Sequence, residues 1–135
     1  MILISDKDCV SQWVADHDAG DFPIGCFAAI GATDENDKIV AGVVYDHYTK
    51  RCVTATIAVE KKNLPRRLIR AIFKYPFEQL GVDKIIVYVN EANAASVCLA
   101  SRLGFLLEGR IEGVYPDGDM LIMSVNKTNC VWLWR

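Results

Sequence analysis

Two β-branched runs, "IVAGVVYDHY" (39–48) and "RCVTATIAVE" (51–60), stand two residues apart, and the hydrophobic period then changes at Leu64. From there Leu68, Ile69, Ile72, Phe73 and Leu80 recur at three-to-four spacing, with Arg66, Arg70 and Lys74 between them, the mark of an amphipathic helix. Next comes "KIIVYVN" (84–90), an uninterrupted apolar run of strand length, which predicts a strand covered on both faces. A strand, a crossover helix and a second strand form a right-handed parallel unit. The two β-branched runs form an antiparallel hairpin ahead of it. Few folds accept both at once.

The flanks extend this frame. Asp6 or Asp8 caps a first helix carrying Val10, Trp13 and Val14 on one face, with Gly20 ending it. Cys26 to Ile30 reads as a short strand, and "ATDENDK" as a turn. In the crossover helix Pro65 suits the first turn, Asn63 is the expected cap, Pro76 resets the helix and Gly81 closes it. "NAASVCLASRLGF" (93–105) is a third helix, capped by Asn93 and stopped at Gly104, after which Phe105 folds back onto the core. Strands Leu106 to Tyr115 and Met120 to Val125 then flank the turn "PDGD". The order is α-β-β-β-α-β-α-β-β, an α+β (mixed α/β) domain spanning 1–135, with one twisted mixed sheet and helices on both faces.

Composition removes several function classes. The apolar share of 52% is too high for a disordered chain. No apolar run approaches the roughly 18 residues of a membrane span, and "MILISDKDCV" has neither the basic nor the long apolar region of a signal peptide. Five scattered cysteines without a CxxC pair argue for reduced thiols in the cytoplasm and against a zinc site. With only two histidines, His17 and His47, a multi-histidine metal centre is not expected.

Charge is uneven. Acidic residues dominate the first forty positions, whereas Lys61, Lys62, Arg66, Arg67, Arg70 and Lys74 follow one another without an acid. The basic cluster sits where a strand runs through a loop into a helix. Free N–H groups and the positive end of the helix dipole make such an N-terminus an anion site, and Arg66 and Arg67 add charge-assisted donors suited to phosphate. A solvated helix face is the plainer reading of the same cluster.

Taken together, strand, basic helix start, apolar strand and then N-x-x-S-x-x-L-x-x-R-x-G-F (Asn93, Ser96, Leu99, Arg102, Gly104, Phe105) resemble the GCN5-related N-acetyltransferase superfamily. The following Glu108-Gly109 and the hairpin ending in "DGDM" look most like its branch that acetylates protein N-termini and small amines. The resemblance covers roughly residues 39 to 126. It implies acetyl-CoA as co-substrate, held where two parallel strands splay apart. Backbone groups of Ala55–Val59, with Ile57, Ala58 and Val59 as named contacts, would meet the pantetheine arm. The helix start at Arg66, Arg67 and Leu68 would hold the pyrophosphate, and Asn93 and Ser96 would complete the site. The reaction implied is direct attack of an amine on the thioester, without an acyl-enzyme or a metal.

Two features depart from the family pattern. Pro65, Arg67 and Ile69 stand where the family's phosphate loop has glycines, and Ala100 stands where a general-acid tyrosine is common. For the base, His47 is the only histidine within the central hairpin, and its ordinary pKa suits proton transfer near neutrality; a solvated hairpin residue is the alternative. Glu60 ends the pantetheine strand, Thr54 and Thr56 alternate on one face of it, and Asp119 belongs to the turn. Trp13, Phe22 and Phe27 read as core or as an acceptor pocket, Cys98 as an inert helix residue, and Trp132 and Trp134 as a sheet cap or dimer contact.

The expected function is therefore an acetyl-CoA-dependent N-acetyltransferase acting on an amine acceptor, as a monomer or homodimer. The acidic N-terminal segment hints at a cationic acceptor. A non-catalytic binding module of the same fold is the alternative. A nucleic-acid binder is a third reading, against which the net charge of −2 counts.

Overall fold

A computed structural model describes residues 2–17, 28–60 and 64–134. The Gly20 stop, the Asn63 cap, Phe22, Phe27, Lys61, Lys62 and the first two residues of the Cys26–Ile30 strand lie outside them.

One sheet of seven strands organises the chain, in the order β1-β2-β3-β4-β5-β7-β6. The strands are β1 (Ile2–Ile4), β2 (Ala28–Thr33), β3 (Ile39–Asp46), β4 (Cys52–Val59), β5 (Lys84–Asn90), β6 (Leu106–Tyr115) and β7 (Gly118–Asn126). The helices are α1 (Lys7–His17), α2 (Arg66–Lys74) and α3 (Ala94–Leu103). Apart from β1, a three-residue edge strand paired antiparallel to β2, this is the expected order. The β3–β4 hairpin is antiparallel, and β4 and β5 are parallel across the α2 crossover.

Local chemistry explains where the elements begin and end. Asp6 caps α1 by accepting the Cys9 N–H at 3.1 Å. Asn93 caps α3 by accepting the Ser96 N–H at 3.1 Å, and Gly104, at φ 99°, ends it in the left-handed region that glycine enters without a Cβ clash. After Lys74 the chain continues as a π-helical turn, Tyr75–Leu80, that carries Pro76. Pro76 has no N–H to offer the Ile72 carbonyl four residues back; the buried Tyr45 hydroxyl donates to that carbonyl at 2.6 Å.

The two faces are covered unequally. Leu68, Ile69, Ile72 and Phe73 of α2, with Ala100 and Leu103 of α3 and Phe105, bury one face against Val43, Tyr45, Val53, Ile85 and Val87. Trp132 joins this layer, its ring 6.4 Å from and nearly parallel to Phe73, with its indole N–H donating to Leu103 O at 3.0 Å. Trp134 is exposed. On the other face α1 lays Val10 and Val14 against Ala29, Val44 and Ala58. Two glycines allow that close approach: a Cβ on Gly31 would meet Val10 Cγ2 at 2.9 Å, and one on Gly42 would meet Val14 Cγ2 at 3.0 Å.

α1 packs on β2, β3 and β4. Over β5 and β6 the same face carries Tyr88, Leu106 and Ile111, which are 47%, 62% and 47% exposed. This corrects the expectation that "KIIVYVN" is covered on both faces: Ile85, Val87 and Val89 are buried, while Ile86 and Tyr88 face an open side.

Candidate functional site

The parallel ladder between β4 and β5 lasts three pairs, Cys52 with Lys84, Val53 with Ile85 and Thr54 with Ile86, and then stops. Both strands continue, β4 to Val59 and β5 to Asn90, so a wedge opens between them. On its outer edge β4 stays paired with β3 up to Val59. The inner edge of Ala55–Val59 therefore presents backbone amides and carbonyls with no strand partner among the described residues, the geometry by which a sheet edge takes up another amide-bearing chain. Ile57 and Val59 lean toward the α2 face, and Ala58 packs under α1.

At the mouth of the wedge stands the start of α2. Pro65 occupies the N-cap position, at φ −62° and ψ 137°, and among the described residues no side chain caps the helix. Pro65 thus precedes the first helical residue rather than being it. The N–H groups of Arg66, Arg67 and Leu68 have no partner within the helix, because the first intrahelical bond is Ile69 N–H to Pro65 O at 3.1 Å. Arg66 and Arg67 are exposed beside them, and neither has an ion-pair partner among the described residues. An uncapped helix end flanked by two free guanidinium groups is a fitting cradle for a phosphate. Ile69, at a family glycine position, is buried in the core and does not obstruct it.

The far lip of the wedge is the start of α3. Asn93 devotes its Oδ1 to the cap, and the Ser96 N–H is the group so capped. A polar clasp holds the loop between β5 and α3. Asn90 Oδ1 accepts the Ala92 N–H at 3.0 Å, and Asn90 Nδ2 donates to Asp117 Oδ1 at 2.9 Å. Arg110 donates to Glu91 at 2.6 Å and to Asp119 at 3.2 Å. The Gly113 N–H and then the Arg110 guanidinium hold the Asp119 carboxyl below its ordinary range. Asp119 therefore fixes the hairpin beside the lip.

His47 is not brought together with these groups. Its Nδ1 lies 2.7 Å from Oδ1 of the buried Asp46 and 3.3 Å from Thr54 Oγ1, on the turn side of the Asp46–Thr54 pair. Ile57 lies three residues further along β4, roughly 10 Å at strand spacing. Ala100 is buried in the α3–sheet layer and offers no proton donor to the wedge. Glu60, at the end of β4, faces His17 with Oε2 to Nε2 at 4.0 Å. Trp13 stacks on the His17 ring at 3.9 Å, a packing contact. Cys98 lies exposed on α3.

The residue that sequence reasoning passed over is Tyr88. Thr54 and Ile86 are the last pair, so Thr56 and Tyr88, two residues on, flank the wedge on the face that α1 leaves partly open.

The sheet order, the parallel β4–β5 wedge and the helix placement are those of the GCN5-related N-acetyltransferase fold. Among solved structures, a spermidine N-acetyltransferase mutant, SpeG from Vibrio cholerae, superposes with a TM-score of 0.76 at 16% identity, over 98% of each chain. Ribosomal-protein-S5-alanine acetyltransferase from Vibrio fischeri gives 0.65 at 17% identity, over 76% of this chain and 63% of that one. The Campylobacter jejuni N-acetyltransferase PseH, solved with acetyl coenzyme A, gives 0.59 at 18% identity, over 74% and 67%. No protein-family model and no curated protein matches the sequence. Among the described residues no helix is long and apolar enough to cross a membrane, and no three His, Cys, Asp or Glu residues group so as to hold a metal.

Proposed function

We propose that the chain is an acetyl-CoA-dependent N-acetyltransferase that passes the acetyl group directly to a primary amine. The observation that carries this reading is the wedge with an uncapped, doubly basic helix start at its mouth. Its free strand edge suits the amide-bearing pantetheine arm, and its mouth suits a pyrophosphate. The likeness to three acetyltransferase structures supports the same reading.

In this reading Arg66, Arg67 and the N–H groups through Leu68 hold the phosphates, and the inner backbone edge of Ile57, Ala58 and Val59 fixes the arm. Asn93 and Ser96 shape the lip opposite. Bound acetyl-CoA supplies an activated thioester, from which the acetyl group passes to the amine nitrogen while the sulfur leaves. The chain's contribution is to hold two reactants together. The acceptor amine must arrive neutral, and its proton passes to solvent at the open face, since His47 stands away from the wedge. With Ala100 in place of an acid, departure relies on the thiolate being a good leaving group.

Calorimetric titration of the intact chain with acetyl-CoA tests the reading. The expected result is saturable binding that Arg66→Ala with Arg67→Ala weakens at least tenfold. Binding unaffected by both substitutions, or no binding at all, would overturn it.

A further inference from the structure

The wedge passes through the sheet, and its two sides differ. On one side α2 and α3 stand over it. On the other, α1 packs on β2, β3 and β4, while Tyr88 on β5 and Ile111 on β6 are exposed. An acceptor reaching the thioester from that open side crosses the surface beside Tyr88.

That surface has a definite shape. Strand register sets Tyr88 next to Ile122 and Asn90 next to Met120, and on the outer strand Gly109 next to Ile122 and Ile111 next to Met120. Gly109 carries no side chain, and a Cβ built there would still lie 3.8 Å from Ile122 Cδ1. A shallow trough therefore lies along β7 over Ile122 and Met120, with Tyr88 of β5 on the wedge side and Ile111 of β6 on the other. Tyr88 and Ile111 are each 47% exposed. At the far end Lys84 and Glu108 neutralise each other at 2.8 Å. Tyr88, Ile122, Met120 and Ile111 carry no charge, and an apolar or aromatic group sheds water there.

We infer that the acceptor is a primary amine bearing an apolar or aromatic group beside the nitrogen, seated on Tyr88, Ile122 and Ile111, and that Tyr88 is the residue that sets this preference. The inference rests on the acetyltransferase reading. It runs against the cationic acceptor hinted at by the acidic N-terminal segment. Such a group occurs both on small arylalkylamines and at a peptide N-terminus with an apolar first residue; the trough recognises the chemistry common to the two.

The test compares three acceptors on the intact chain: phenethylamine, a peptide beginning with phenylalanine, and spermidine. At least one of the first two is expected to show kcat/KM tenfold or more above spermidine, and the better of the pair identifies the source. Tyr88→Ser should raise KM for that acceptor about tenfold, leaving KM for acetyl-CoA within twofold and the melting temperature unchanged. Ile111→Ser, at an exposed edge position, should act in the same direction. A preference for spermidine, or an acceptor KM unmoved by both substitutions, would overturn the trough assignment and leave the acetyltransferase reading intact. Conversely, calorimetric binding of phenethylamine that Tyr88→Ser abolishes, without transfer to any amine, would uphold the trough and overturn the reaction. Neither binding nor transfer would overturn both.

Discussion

Pro65→Asp should make the protein more stable and a poorer ligand binder at once. Pro65 already has the extended φ of −62° and ψ of 137° that an N-cap residue needs, so Asp fits without moving the chain. Its carboxylate would accept an N–H that now has no helical partner, which stabilises by about 1 kcal/mol, and the helix dipole adds roughly 0.3–1 kcal/mol. Loss of the proline ring loosens the unfolded chain at a cost of about 0.4–1 kcal/mol. The net gain is near 1 kcal/mol, or about 3 °C in melting temperature for a chain this size. The same carboxylate takes a donor away from the phosphate and repels it. One charge-assisted hydrogen bond is worth about 1.5–3 kcal/mol, so acetyl-CoA affinity should fall about tenfold to a hundredfold. Scanning calorimetry and isothermal titration on the same preparation read both effects. Pro65→Ala, which supplies no cap, should lower stability slightly and leave affinity unchanged. If Pro65→Asp kept the affinity within twofold while the melting temperature rose, the anion site would not be at this helix end.

Other outcomes follow from single contacts. Tyr45→Phe should cost about 1–3 kcal/mol, measured by urea unfolding, because the buried Ile72 carbonyl beside Pro76 loses the hydroxyl donated at 2.6 Å. Burial first, and then Tyr75, pushes the Tyr45 phenol well above its ordinary pKa of 10.0. Its stabilising contribution is therefore complete below about pH 10 and is lost as pH rises beyond that, a loss that Tyr45→Phe removes. Gly42→Ala should cost about 1–3 kcal/mol by overpacking, since its Cβ would stand 3.0 Å from Val14 and 3.1 Å from Val10. The depressed Asp119 carboxyl stabilises the hairpin above its unfolded value near pH 4, and that contribution fades as pH falls further. Asp119→Asn should flatten that acid limb and speed hydrogen exchange at the Gly113 amide.

Much of this architecture was legible because it is written locally. The "KIIVYVN" run bounds β5 at both ends. Asn93 and Gly104 mark the two ends of α3 by side-chain acceptance and positive φ, and the period change at Leu64 announces the crossover. What escaped depends on partners distant in sequence. Three residues, Ile2–Ile4, form β1 because β2 offers them an edge, not because of their own pattern. Pro65 suits the first turn on composition, and only the backbone path makes it the N-cap. Whether an apolar strand is covered on one face or two depends on where α1 ends over the sheet, so the open side of β5 and the placing of Tyr88 became visible only with the fold. His47 shows the reverse limit: a histidine in the right hairpin stands on the wrong side of its last strand pair.

The central claim is acetyl transfer at the β4–β5 wedge. The measurement that tests it most directly is acetyl-CoA-dependent thiol release with and without a primary amine, with the acetylated amine identified by mass spectrometry. The account predicts release that requires the amine, with Arg66→Ala plus Arg67→Ala raising KM for acetyl-CoA at least tenfold and leaving kcat within twofold. Thiol release indifferent to the amine, or a KM unmoved by the loss of both arginines, would contradict it.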